Sequence, residues 1–298
     1  MNKYVIVTDS CSDLEKEYRQ KHHIDYAKMM ICWNEENGDL HETIADLDWE
    51  VISPEKFYGL IRGGTRVYTA QTPIQNYLDT FEPHLAKGED VLYLCCSSGL
   101  SASINIARML ADGELKEKYP NNRLVVIDTL RAGMSLGMIV KDANEMRLQG
   151  KSLDEVAEYV EKEKYSYLEI GIPDTLTYLK RAGRVSGPKA LMGNLISLKP
   201  ILMWDEKGSN EAKEKAIGRK KAYIRMAEII KDTITNPEEQ VIYMMNADCR
   251  KEDMELFKKY IIEKVNVKDI ILLPLGPIIG AVSGPGTVIV NYRGKQKN

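Results

Sequence analysis

The feature that most constrains this chain is an alternation, from residue 4 to about residue 164, of short apolar runs with helical patterns. Tyr4–Val7, Val91–Leu94 and Leu124–Ile127 read as strands, with a short run at Arg66–Tyr68. Between them, apolar residues recur at helical spacing, as in Ile74, Tyr77, Leu78, Phe81 and Leu85 or Leu136, Ile139, Val140 and Ala143. Such alternation points to a parallel sheet covered by helices on both faces. Helix starts support it. Ser12 with Glu15 and Ser152 with Glu155 have capping-box spacing, Ser53 precedes Pro54, and Thr72, Pro73 and Gln75 form another start.

After about Lys164 the rhythm changes. Strands are expected at Leu168–Ile172, Pro200–Trp204, Val241–Asn246, Asp269–Leu275 and Thr287–Tyr292, with helices unevenly spaced. The last two are joined only by a glycine-rich stretch from Gly276 to Gly286, which suits mixed or antiparallel pairing better than regular βαβ units. The expected organisation is two domains, residues 1–164 with an αβα parallel sheet and residues 165–298 with a smaller α/β mixed sheet. A length of 298 residues accommodates both.

Composition excludes several function classes. Hydrophobic residues are 44% and charged residues 29%, as in ordinary globular domains. With 41 basic against 44 acidic side chains, the chain lacks the cationic footprint of a nucleic-acid binder. No apolar run approaches the roughly 20 residues of a membrane span, so no integral membrane association is expected. The opening MNKYVIVTDS enters a strand directly, without the longer apolar stretch of a signal peptide. The five cysteines have no CxxC spacing, and the expected compartment is the cytoplasm.

The chemistry gathers at the carboxyl ends of the expected parallel strands, where open α/β sheets bind ligands. Those ends read Thr8-Asp9-Ser10, Thr69 before Gln71, Ser97-Ser98 before Gly99, and Asp128-Thr129. Three precede an expected helix start, where free N–H groups and the helix dipole favour an anion. Ser, Thr and Asp are also ordinary N-caps, so any one loop reads as a cap before it reads as a binding site. Only their clustering raises a site. No GxSxG, HExxH or GxxxxGK[ST] motif is present, and Ser186 to Lys189 matches SxxK without its companion motifs. The four histidines lie outside these loops, so no metal site is read, and Asp9 has no paired nucleophile. In the second half, Lys180, Arg181 and Arg184 surround a short helix ending at Gly183. Arg184 fits a ligand-facing cation or a solvated one equally. The basic run at residues 207–225 reads as an exposed helix.

Seven segments, in order, resemble the DegV family along nearly the whole chain. They are TDSCSDL (8–14), TAQTP (69–73), SSGLSAS (97–103), IDTLRAGMSLG (127–137), TLTYLKRAGRVSG (175–187), LKPIL (198–202) and IGAVSGPGTV (279–288). The resemblance implies a two-domain α/β fold with a long-chain fatty acid buried in a tunnel between the domains. It implies no catalytic residue, metal or cofactor in this chain, and a lipid-binding rather than enzymatic role. Family members include the lipid-binding subunits of bacterial fatty acid kinase, which present the carboxylate to a separate kinase subunit. By position, Thr69, Ser97 and Ser98 would hold the carboxylate, with Arg184 near the head group and Ser10, Gln71, Gly99 and Val282 as secondary positions. Two departures stand out. Val282 occupies a place where the family usually carries histidine, which speaks against phosphotransfer, and Ala70 replaces a common serine. The rival reading from another class is an enzyme acting on a small phosphate or carboxylate metabolite at the same loops, with Asp9 as base.

Overall fold

A computed structural model describes residues 3–35, 37–186 and 198–296. In chain order its first part runs β1 (Tyr4–Asp9), α1 (Lys16–His22), β2 (Asp25–Ala27), β3 (Met30–Asn34), β4 (Leu40–Ile44), α2 (Pro54–Arg62), β5 (Tyr68–Ala70), α3 (Ile74–Leu85), β6 (Asp90–Cys95), α4 (Ser103–Asp112), α5 (Glu114–Lys118), β7 (Leu124–Asp128), α6 (Gly133–Leu148) and α7 (Leu153–Glu163). The second part runs β8 (Tyr167–Ile172), α8 (Thr177–Ala182), β9 (Leu198–Trp204), β10 (Asn210–Ile217), α9 (Arg219–Thr233), β11 (Val241–Asn246), α10 (Lys251–Lys264), β12 (Asp269–Pro274), α11 (Pro277–Ser283) and β13 (Val288–Arg293).

The chain forms two compact units. The first comprises Met1–Ser53, Arg66–Lys164 and Gly276–Ile278; the second takes Pro54–Thr65, Tyr165–Leu275 and Ile279–Asn298. A single cut at 164/165 therefore does not describe the division. Helix α2 goes with the second unit because Phe57, Tyr58 and Ile61 are buried and the Tyr58 hydroxyl donates to the Leu275 carbonyl (2.8 Å).

In the first unit, four parallel strands lie in the order β2-β1-β6-β7. Every residue of β6 is buried, as a parallel strand covered on both faces requires. Alternation sends Val7, Val91, Tyr93 and Cys95 into a core with Tyr77, Phe81, Ile104 and Leu110 of α3 and α4. Helix α6 packs on β1 and β6, and α7 on β7, from the other side. The result is the expected three-layer arrangement. Gly137 is what lets α6 approach, since a Cβ there would meet the Ser12 carbonyl at 2.6 Å.

A second sheet in this unit, antiparallel in the order β4-β3-β5, has no counterpart in the periodicity. Its members are short, and the expected run at 66–68 is displaced to Tyr68–Ala70, so Thr69 lies in a strand rather than a loop. The capping box at Ser152 forms as its spacing predicts. The one at Ser12 does not: α1 begins at Lys16 with Glu15 as N-cap, and the Glu15 carboxylate binds Lys141 (2.7 Å) instead of reaching back.

The second unit is a six-stranded mixed sheet, β10-β9-β8-β13-β11-β12. Strands β11 and β12 are parallel, whereas β13 runs antiparallel to both β11 and β8. Helices α9 and α10 cover it through Tyr223, Met226, Phe257 and Ile261, with Tyr223 and Phe257 stacked at 4.4 Å. The basic run at 207–225 is not one helix. Its first half is β10, hairpinned to β9, and Gly218 at φ 81° breaks the chain before α9. Backbone pairing with β9 overrides the weak strand propensity of Asn-Glu-Ala-Lys-Glu-Lys. The glycine-rich connection contains α11, also unexpected. The SxxK match extends into residues 187–197, outside the described residues. Among the described residues no helix is long and apolar enough to cross a membrane.

Candidate functional site

Three strand ends of the parallel sheet are bound together by two carboxylates, Asp9 and Asp128, and two threonines. Asp9 closes β1 and is fully buried; its Oδ1 accepts the Cys11 amide (2.8 Å), while Oδ2 accepts the Cys96 amide (2.7 Å) and the Tyr93 hydroxyl (3.2 Å). One side chain thus joins the loop after β1 to the loop after β6. Burial pushes its pKa up to about 6 against the pull of these donors. Thr8 donates to the Leu94 carbonyl (3.0 Å), and Thr129 to the Cys95 carbonyl (2.7 Å). Asp128 Oδ1 accepts the amides of Ser98 (3.2 Å) and Leu130 (3.0 Å), which orients the loop after β6 from the β7 side.

Within this frame the hydroxyls divide. Ser97 is buried, and its Oγ accepts the Gly99 amide (3.1 Å), so it shapes the loop. Ser98 is exposed, and its hydroxyl has no hydrogen bond among the described residues. Gly99 is exposed but its amide is committed to Ser97. Ser10 is fully buried: its amide donates to Ala27 (3.2 Å), and its Oγ accepts the Met29 amide (3.0 Å). That bond fixes the start of β3, whose Ile31 pairs with Thr69 of β5. Thr69 is half-buried and Gln71 exposed, and neither side chain is hydrogen-bonded among the described residues. The loop after β6 does not sit on a helix N-terminus as expected, because α4 begins only at Ser103. Among the described residues, the side chains left without a hydrogen bond are Ser98 on the loop after β6, Thr69 and Gln71 on and just beyond β5 of the antiparallel sheet, and the buried Thr72 hydroxyl.

The other two expected positions belong to the second unit. Arg184 follows Gly183, which caps α8 in the left-handed region (φ 67°); it is exposed, and its guanidinium donates to the Ala182 carbonyl. Val282 lies in α11, half-buried against Leu179, Leu202 and Ala212.

Sequence reasoning passed over two buried groups. Asp13 sits at φ 48° with its carboxyl buried against the Gly276 amide, and desolvation, with a contribution from Asp9, pushes its pKa up to about 7. Gly276 is required there, because a Cβ would overlap the carboxylate. Thr72 is buried beside the Tyr77 hydroxyl, which donates to the Ser103 carbonyl (3.0 Å). The TDSCSDL pattern contained Asp13, but nothing in a sequence distinguishes a buried loop aspartate from a capping one. Chemically, the loop amides named above are spent, and what remains for an anion is hydroxyl donors and the Gln71 side-chain amide. Both oxygens of Asp9 are occupied by donors. No group of three His, Cys, Asp or Glu able to hold a metal occurs among the described residues.

A family model described as an uncharacterised protein of the DegV family matches residues 3–294. A DegV domain-containing protein of Clostridium perfringens is 37% identical over 297 residues, covering 100% of this chain and 99% of the relative. Another, from Lactococcus lactis, is 30% identical over 289 residues, 96% of each chain. Among solved structures, a DegV lipid-binding protein from Thermotoga maritima aligns with a TM-score of 0.79 at 25% identity, covering 99% of this chain and 100% of that one. A DegV family protein from Thermus thermophilus, described by its fatty acid binding, aligns with a TM-score of 0.81 at 26% identity over 98% and 99%.

Proposed function

The chain belongs to the DegV family, and from that premise we propose that it binds one long-chain fatty acid, with the carboxylate held by the hydroxyls of Thr69 and Ser98. The observation that carries this reading is the end-to-end likeness to proteins described as lipid-binding and fatty-acid-binding. In this reading the open hydroxyls of Thr69 and Ser98 donate to the carboxylate. Energetically, a 16-carbon chain at roughly 0.8 kcal/mol per buried CH₂ supplies on the order of 12 kcal/mol before ordering costs. A carboxylate buried without donors would cancel much of that, so a few unspent donors beside an apolar site are what the ligand needs. Ser97, Ser10 and Gly99 then act by shaping the loops, Gln71 is a further donor, and Arg184 supplies a cation to the head group.

The rival reading, an enzyme using Asp9 as base, is weaker because backbone amides and Tyr93 occupy both Asp9 oxygens. Presentation of the lipid to a kinase subunit is the finer question. Val282 packs against apolar side chains and has no proton-carrying group, so the reading is binding without efficient phosphotransfer.

The test is denaturation of the purified protein, solvent extraction and mass spectrometry. A long-chain fatty acid is expected at about one per chain. The Thr69→Ala, Ser98→Ala double variant should retain roughly tenfold less, and Arg184→Ala should show a smaller fall. Equal lipid in the double variant and the parent would reject the assigned carboxylate site; tight binding of a polar phosphate with no lipid recovered would reject the whole reading. Mixed with a fatty acid kinase subunit and ATP, the protein should yield little acyl phosphate, and Val282→His should raise that yield.

A further inference from the structure

The amino-terminal edge of the parallel sheet, where β1, β2 and β6 begin, carries a cleft of about 600 Å³ bordered by Lys3, Asp25, His84, Lys87, Glu89 and Arg147. A second hollow of about 410 Å³ shares Lys3 and Arg147 with it. The size is that of a small-molecule site, and the fold gives this edge no part in the loops at the sheet's other end. Its two carboxylates are already engaged: Glu89 by Lys3 (3.1 Å) and His84 (3.1 Å), and Asp25 by His84 (2.8 Å). Arg19, also in the wall, is paired with Asp48.

Arg147 is different. Its Nε and Nη2 donate to Asn144 Oδ1 (3.2 and 2.8 Å), and Nη2 also faces the His22 carbonyl (3.5 Å), so its partners among the described residues are all neutral. Asn144 is fully buried and donates in turn to the Tyr18 hydroxyl (3.1 Å). A buried amide therefore fixes the guanidinium while leaving its charge uncancelled and Nη1 open. Lys87 is exposed and has no ion pair among the described residues; it lies within electrostatic reach of Asp25, whose Oδ2 His84 occupies. His22 and His23 also line the wall.

We propose that this edge is a second anion-binding site, centred on Arg147 and assisted by Lys87, that takes a small phosphate-bearing molecule with at least two negative charges. An oriented guanidinium suits the oxygens of a phosphate, to which it can donate in parallel. Two cations without an ion pair among the described residues, one of them held in place by Asn144, match a dianion better than a monocarboxylate. The proposal is independent of the fatty-acid reading, since no residue is shared with it.

The experiment is calorimetric titration of the full chain with inorganic pyrophosphate at constant ionic strength, with inorganic phosphate alone in parallel. Saturable binding at one site per chain is expected, tighter for pyrophosphate than for phosphate. Arg147→Gln should weaken it by about tenfold or more, and the surface change Lys87→Gln by roughly threefold. Lys207→Gln, an equal change of charge in the second unit, should leave it unaltered. Absence of saturable heat at millimolar pyrophosphate would overturn the proposal. So would unchanged affinity in Lys87→Gln together with Arg147→Gln, or an equal loss in Lys207→Gln, which would mark the interaction as an effect of net charge.

Discussion

At the carboxyl end of the parallel sheet, the charge of Asp9 is met by two backbone amides and a tyrosine hydroxyl; at the amino end, Glu89 and Asp25 are met by His84 and Lys3. The first arrangement is rigid, short-range and buried. The second uses long side chains, with Lys3 79% exposed, and screening leaves such pairs little net energy. The contrast shows how one sheet supports two electrostatic regimes: an end with spare neutral donors around a desolvated acid, and an end with spare cations around spent carboxylates. Both ends lose stability as pH rises, for opposite reasons. Asp9 and Asp13 have folded pKa values of about 6 and about 7, raised from 3.8 by desolvation. The folded state therefore holds protons that the unfolded state releases, and their contribution is lost between about pH 4 and pH 7. His84 is raised above 6.5, by its hydrogen bond to Asp25 first. Its contribution is complete below 6.5 and disappears as pH passes its higher folded value.

The sharpest way to break this contrast is Asp9→Ala, which strands two buried amides and should cost about 4 kcal/mol in denaturant unfolding. A loss no larger than that of a surface variant would mean that the strand-end loops are not held as described. Next in size, and opposite in sign, Asp13→Asn should raise stability at pH 8 by roughly 3 kcal/mol and change little at pH 3.5. Asparagine keeps the left-handed backbone, so a loss at pH 8 would show that the ionised carboxyl is stabilising after all. Ser10→Ala, which strands the Met29 amide, should cost about 1–2 kcal/mol at any pH, and a pH-dependent loss would contradict its assignment as a neutral bond. Smallest is His84→Gln: about 1 kcal/mol lost at pH 6 and nothing measurable at pH 9. Equal effects at both pH values would assign His84 to packing instead of charge.

Much of the fold was legible because β1 and β6 are almost wholly buried and helices such as α3, α4 and α7 carry one apolar stripe, patterns that periodicity reports directly. The Ser152 capping box formed because both partners are local, and Lys151 takes only the other oxygen of Glu155. At Ser12 the same spacing failed because Asp13 takes a left-handed backbone and α1 begins only at Lys16, leaving Glu15 as the N-cap. The sheet β4-β3-β5 was illegible, since its strands are short and β4 is largely exposed, so neither alternation nor an apolar run marks it. At the site, the hydroxyl-rich strand ends could be read, but not which hydroxyls are spent: Ser97 and Ser98 are identical neighbours until the Gly99 amide claims one of them.

The layer architecture of the first half, the change of rhythm near residue 164 and the family follow from residue order alone, because they rest on local periodicity and on motifs in order. Only the tertiary structure decided that Asp9 fastens two loops, that Asp13 is buried against Gly276, and that Arg147 stands uncancelled at the sheet's far edge. Each depends on which distant donor or acceptor reaches a group and on how much water remains around it. Hydrogen bonding and desolvation act through space, and residue order along the chain does not encode that in any readable local signal.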